Sequence, residues 1–179
     1  MDLTILLWIQ AHMRCDVLDF IFSLITKLGN AGVVWILITL LLLIRRDTRY
    51  TGLVMAIAFI LSAAVVNLGI KPLISRPRPF QVHPIELAIA APYGTSFPSG
   101  HSATSFAAAW AYFITRKNRL RWGLLALAAA IAFSRLYLFV HFPTDVLAGI
   151  IIGIILSYPA KLIADRLVKN GRWGIHANP

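Results

Sequence analysis

The stretch from Ser134 to Asp145 sets an arginine, a histidine and an aspartate inside a sequence otherwise fit for a bilayer. A charged side chain within an apolar span costs a few kcal/mol at least, so Arg135, His141 and Asp145 read as functional by default. Pro143 suits the first turn of a new helix, where its missing N–H would lack a partner anyway. Asp145 then lies near the positive end of that helix, four residues after His141. A carboxylate so placed reaches back to one imidazole nitrogen, fixes the tautomer and leaves the other nitrogen free to attack. The stretch reads as an activated nucleophile with a cation beside it.

Two further clusters stand where apolar runs end. Lys71, Arg76 and Arg78 close one run, and Pro77 and Pro79 hold the following chain extended. Lys71 and Arg78 present cations at the membrane surface, either to a ligand or, by snorkelling, to lipid phosphates. Arg76 is assigned to the second role, and Asn67, one turn before Lys71, to an interhelical hydrogen bond. At the start of another run, Ser99 fits an N-cap, Gly100 lets a ligand approach the backbone, and the free N–H groups of a helix start favour anions. His101 falls in that first turn, facing a bound anion or serving as a capping or interfacial residue. Arg135 grips a phosphate in bidentate fashion or pairs with a carboxylate. On the outward side, from the second apolar run onward, the carboxylates are Asp145 and Glu86, against four basic residues in the clusters. The surplus positive charge calls for an anion, and a phosphate supplies it.

The elements that carry these clusters are membrane helices. Of 179 residues, 59% are hydrophobic and 13% charged, with a mean hydropathy of +0.76. A soluble domain carries about twice that charged fraction. Several runs approach the roughly 20 apolar residues that cross a bilayer. The fold class is all-α, a polytopic transmembrane bundle of about five to six membrane helices. Residues 1–30 form interfacial or short helices, with Trp8 at headgroup level and His12 at the surface. Residues 31–168 form the transmembrane domain, with spans at about 32–44, 50–74, 99–115, 122–140 and 143–162. Residues 169–179 form a short cytoplasmic tail, loosely ordered from Gly171. The basic clusters at Arg45, Arg116 and Lys161 lie on one side, which the positive-inside rule makes cytoplasmic. Segment 76–98 and the turn at His141 then face outward.

The net charge of +10 does not indicate nucleic acid, because the basic residues sit in short loops where orientation signals belong. Cys15, the single cysteine, forms no internal disulfide and reads as a packing residue. The N-terminus lacks a basic n-region and a small-residue cleavage site, so no cleaved signal peptide is expected. Alanines 107–109 and 128–130 and the Gly149-to-Gly153 pair allow close helix approach, here favouring internal packing over a homodimer face.

Taken together, Lys71-x₆-Arg78-Pro79, Pro98-Ser99-Gly100-His101 and Ser134-Arg135-x₅-His141-x₃-Asp145 resemble the three-part signature of the type 2 phosphatidic acid phosphatase family. The resemblance covers roughly residues 50–160. One departure is Phe139, where the family pattern implies a small residue such as Gly and which would shape the pocket wall. The resemblance implies a membrane lipid phosphatase in which His141 forms a phosphohistidine and Asp145 orients it. His101 would protonate the leaving oxygen and later help activate water. Lys71, Arg78, Ser99, the Gly100 backbone and Arg135 would hold the phosphoryl oxygens. It implies no metal and no cofactor, since fixed cations and a helix N-terminus take the part of magnesium. The implied substrate is a lipid phosphate or diphosphate in the outer leaflet of a bacterial-type inner membrane. Undecaprenyl diphosphate leads, with phosphatidylglycerophosphate or phosphatidic acid as alternatives. A vanadate-dependent haloperoxidase is disfavoured by five apolar spans. A lipid-phosphate or anion transporter would need ionisable groups or broken helices near mid-bilayer.

Overall fold

Hydrocarbon offers no partner for a free N–H or C=O, so an apolar chain of this composition satisfies its backbone within helices. The computed structural model describes residues 1–169, and every regular element among them is helical. Helix α1 (Asp2–Met13) leads to α2 (Asp16–Gly29) and α3 (Val33–Ile44). Between α2 and α3, Ala31 and Gly32 take left-handed dihedrals (φ 50° and 70°) and break the helix for one turn. The two helices together make an apolar stretch of 29 residues, Asp16–Ile44. The first span thus starts well before residue 32, borrowing length from before Gly29.

Helix α4 (Arg49–Ala64) continues through a π turn (Val65–Ile70) into the short α5 (Lys71–Leu73). Such widened turns recur at functional sites, and this one carries Asn67 and delivers Lys71. A brief α6 (Pro79–Val82) and irregular chain lead to α7 (Gly100–Thr115), α8 (Leu120–Tyr137) and α9 (Pro143–Lys169). Four stretches are long and apolar enough to cross a membrane: Asp16–Ile44, Arg49–Leu73, Leu120–Tyr137 and Pro143–Lys169. Helix α7, of 16 residues, is shorter than these. The tail lies, from residue 170, outside the described residues.

Helix α8 ends earlier than the expected Val140, because Phe139 takes φ 58°. A left-handed conformation costs a residue with a Cβ about 1–2 kcal/mol, which is the physical reason to expect Gly there. Burial offsets it: Phe139 is fully buried and packs with Leu6 and Phe142. Its ring therefore lies in an apolar cluster shared with α1. Cys15, expected to pack, is exposed.

The core lies where α4, α7, α8 and α9 meet, and small residues set its spacing. A Cβ on Gly149 would stand 2.6 Å from the Ser99 carbonyl oxygen, and one on Gly153 would overlap the carbonyl of Ala103. The glycine pair is thus spent on α7–α9 packing. The opposite end of the bundle gathers the basic loops: Arg116 donates to the Asp47 carbonyl (3.0 Å), and Lys161 pairs with Asp165 (2.9 Å), which also accepts from Tyr50. Substituting Gly153→Leu should force α7 and α9 apart and cost about 1–3 kcal/mol, as overpacking does. A lowered thermal midpoint in detergent is the expected result, and an unchanged one would show that the helices do not meet as described.

Candidate active site

Asp145 is placed by the helix it starts. It sits in the first turn of α9 and accepts the Phe142 N–H at 2.8 Å, a side chain-to-backbone cap that anchors the carboxylate before any ligand arrives. The same oxygen accepts the Ser96 hydroxyl at 2.5 Å and lies 3.6 Å from His141 Nδ1; Ser96 Oγ is itself 3.5 Å from that nitrogen. The other carboxylate oxygen accepts from Arg76 at 2.6 Å. Arg76, assigned to snorkelling by sequence, instead pairs with this buried carboxylate and with Asp2 of α1 (2.8 Å), while its guanidinium lies over the Phe142 ring.

His141 faces Arg78 on its other side, with Nε2 3.3 Å from Nη1. A guanidinium only donates, so Nε2 accepts and the proton resides on Nδ1, toward Ser96 and Asp145. The Nε2 lone pair is therefore turned to the Arg78 guanidinium, and both side chains line the cavity described next. Burial pushes the His141 imidazole from its usual range down to about 4; the Asp145 hydrogen bond opposes this, and the Arg135 and Arg78 charges reinforce it. His141 is thus neutral at neutral pH. Arg78 is fixed by the carbonyls of Gly94 (2.9 Å), Tyr93 (2.9 Å) and Val140 (3.0 Å).

The cations converge on one cavity of about 360 Å³, lined among others by Lys71, Arg78, Gly100, His101, Arg135 and His141. Arg78, Arg135 and His141 are at most 3% exposed, and Asp145 is wholly buried. Lys71, Arg78 and Arg135 pair with no carboxylate among the described residues. Arg135 bonds Thr26 through Nη1, and its Nε is buried without a partner. Charges in such a setting are costly unless an anion is bound, so the chamber suits an anion, with the His141 imidazole at its wall. Among the described residues, no group of three or more His, Cys, Asp or Glu is placed to hold a metal ion.

The sequence-predicted residues are brought together, with two adjustments. Ser99 is fully buried as the N-cap of α7, its Oγ 3.4 Å from the Ser102 N–H, and its own N–H bonds the Asp145 carbonyl at 3.0 Å. Its hydroxyl thus serves the helix start, and it is Gly100 that lines the cavity. Asn67 donates within its own helix, to the Ala63 carbonyl, and lines the cavity, in place of the expected interhelical bond. The roles of Asn30, Thr26, Arg76 and Ser96 were not found from sequence: Arg76 occupies an unspecified position between Lys71 and Arg78, and the other three lie outside the motifs. Their nearest clue was polarity at the ends of apolar runs. His101 Nε2 lies 2.9 Å from Asn30 Oδ1, and a Cβ on Gly29 would stand 2.6 Å from its ring. His12 is exposed and stacks on Trp8.

Arg76→Ala would leave a buried carboxylate without its cation. Breaking a buried pair costs 3–5 kcal/mol, and the partial exposure of Arg76 reduces this to about 2 kcal/mol. The thermal midpoint in detergent should fall, and Arg76→Lys should restore part of it. Equal stability of all three proteins would refute the pairing.

The chain matches the model of the PAP2 superfamily over residues 49–169. It is 34% identical over 143 residues to the undecaprenyl-diphosphatase of Sulfolobus acidocaldarius, covering 79% of this chain and 68% of that protein. With the undecaprenyl-diphosphatase BcrC of Bacillus subtilis it shares 30% identity over 152 residues, 85% of this chain and 78% of the other. The crystal structure of Aquifex aeolicus LpxE resembles it with a TM-score of 0.78 at 29% identity, covering 89% of this chain and 93% of LpxE. The chain therefore belongs to the PAP2 superfamily, as an integral-membrane lipid phosphatase.

Proposed function

We propose that this phosphatase hydrolyses a polyprenyl diphosphate, undecaprenyl diphosphate foremost, at the outer face of a cell membrane through a phosphohistidine on His141. The observation that carries the mechanism is His141 on the wall of a chamber of unpaired cations, its Nε2 turned to Arg78 and its Nδ1 backed by Ser96 and Asp145. The identities to two undecaprenyl-diphosphatases support the substrate. The basic loops gathered at the far end of the bundle support the outward orientation. In this reading α7 completes a five-span bundle.

In the first step Nε2 attacks the terminal phosphorus. Lys71, Arg78, Arg135 and the Gly100 backbone take the charge that spreads over the equatorial oxygens. Ser99 supports them by fixing the start of α7. The bond to the leaving oxygen breaks, and His101 delivers its proton there. Water then attacks the phosphohistidine, with His101 as base, and orthophosphate leaves. No step calls for a metal, so activity should persist in a strong chelator.

The deciding experiment is orthophosphate release by purified protein from undecaprenyl diphosphate, phosphatidylglycerophosphate and phosphatidic acid. Fastest turnover on the diphosphate is expected. Preference for either phospholipid would transfer the assignment to it, and inactivity on all three would favour a transporter.

Rapid-quench trapping separates the histidines. His141→Ala should lose both turnover and acid-labile label, a defect on the order of 10⁵-fold or more. His101→Ala should retain label and lose about 10²–10⁴-fold in turnover. Label that persists on His141→Ala and is absent from His101→Ala would reverse the roles.

A pH series tests the neutral nucleophile. Protonation of Nε2 removes the lone pair, and that occurs only as pH falls toward about 4. Burst amplitude should hold from pH 8 down to about 5.5 and halve near pH 4. A midpoint near 6.5 would show an imidazole left exposed to solvent.

A further inference from the structure

A second cavity, of about 440 Å³, adjoins the catalytic chamber, and the phosphatase reading leaves it without a task. Ser23, Thr26, Lys27 and Asn30, all from the end of α2 and the break after it, line it together with His101 and Arg135. His101 and Arg135 line both cavities, whereas His141, Lys71 and Arg78 line only the first. His101 thus stands between the two cavities, while His141 belongs to the first.

From this arrangement, and resting on the phosphatase reading above, we infer that the second cavity is a subsite for an anionic leaving group, the lipid-linked phosphate of a diphosphate. In-line displacement puts the leaving oxygen opposite the attacking nitrogen. In this subsite reading the place opposite His141 is taken by His101, shared by both cavities. Its Nε2 is 2.9 Å from Asn30 Oδ1, an acceptor, so Nε2 carries the proton and directs it toward a wall of the second cavity. The oxygen bridging two phosphates would replace Asn30 Oδ1 there. The bond from bridging oxygen to terminal phosphorus breaks as the Nε2–phosphorus bond of His141 forms. His101, an imidazolium beside the bound anion, passes its Nε2 proton to the departing lipid monophosphate and is left neutral.

The charge in the second cavity matches that product. Lys27 pairs with no carboxylate among the described residues. Arg135 is held by Thr26 between the cavities, and its buried Nε lacks a partner. A cation and hydroxyls beside the Arg135 guanidinium donate charge-assisted hydrogen bonds to a phosphate, and the positive charge favours that anion over a neutral glycerol or alcohol. Lys27 is thus a specificity-determining residue, selecting diphosphates over monophosphates of the same tail.

The test compares farnesyl diphosphate with farnesyl monophosphate on the wild type, Lys27→Gln and Lys27→Arg. The quantity read is the ratio of kcat/KM between the two substrates. Lys27→Gln should lower the diphosphate preference about tenfold, the scale of one charge-assisted hydrogen bond, and Lys27→Arg should restore most of it. An unchanged ratio, or equal loss on both substrates, overturns the subsite while leaving the phosphatase intact. A wild type that cleaves only the monophosphate overturns both the subsite and the diphosphate substrate. Should it cleave neither, binding decides without turnover: methylenebisphosphonate and orthophosphate are compared by thermal stabilisation of the detergent-purified protein. The subsite requires that Lys27→Gln weaken the bisphosphonate selectively, and equal weakening or none removes it.

Discussion

One buried carboxylate holds the catalytic end of this protein together. Asp145 takes a backbone N–H from Phe142, a hydroxyl from Ser96 and a guanidinium from Arg76, and it backs the imidazole of His141. Through Arg76 its influence reaches Asp2 at the start of α1, and through its own carbonyl it receives the Ser99 N–H at the start of α7. Four chain segments far apart in sequence are thereby referred to a single anion. Leaving any of these donors unsatisfied in so buried a place costs free energy, so the helix ends are fixed relative to His141 without any ligand. This prior arrangement is what electrostatic catalysis requires, because dipoles already aimed need not reorganise during the reaction.

The charge balance explains why the remaining cations are free to bind. Asp145 is shared with Arg76, and Asp2 meets the same arginine, so the carboxylates near the site go to a residue outside the chamber. Lys71, Arg78 and Arg135 keep their charges for a ligand, at the cost of mutual repulsion when the chamber is empty. Carbonyl oxygens soften this for Arg78, and a threonine does so for Arg135. Neutral acceptors steer a guanidinium without cancelling it. The chamber can therefore be rigid and strongly cationic together.

Much of the site was legible in sequence because its motifs are local. The Pro143 helix start and the four-residue spacing from His141 to Asp145 announce their geometry, as does the Ser99 N-cap beside Gly100 and His101. Arg76 and Ser96 were not legible. They meet Asp145 across 69 and 49 residues, and no periodicity encodes a contact at such range. Asn30 and Thr26 escaped for a related reason, since residues before 30 looked like an accessory piece, while the break at Ala31 and Gly32 in fact turns their side chains to His101 and Arg135. The extent of the first span was hidden by the same break, which interrupts the apolar run with small residues. At Phe139 the expectation of glycine was sound as backbone chemistry, and the outcome was decided by apolar burial that no single position reveals.

The turn after α8 has a mechanical meaning. Within it the N–H groups of Leu138, Phe139, Val140 and His141 all bond back to carbonyls between Ser134 and Leu136, so Arg135 and His141 sit on one clamped loop of backbone. That wall is an anvil. What lines the rest of the chamber is built otherwise: the broken helix at Ala31 and Gly32, the widened turn beneath Lys71, and the non-helical run from His83 to Ser99. Arg135 and His141 thus share one frame of backbone, and the groups across from them are held chiefly by side-chain bonds reaching over from other segments.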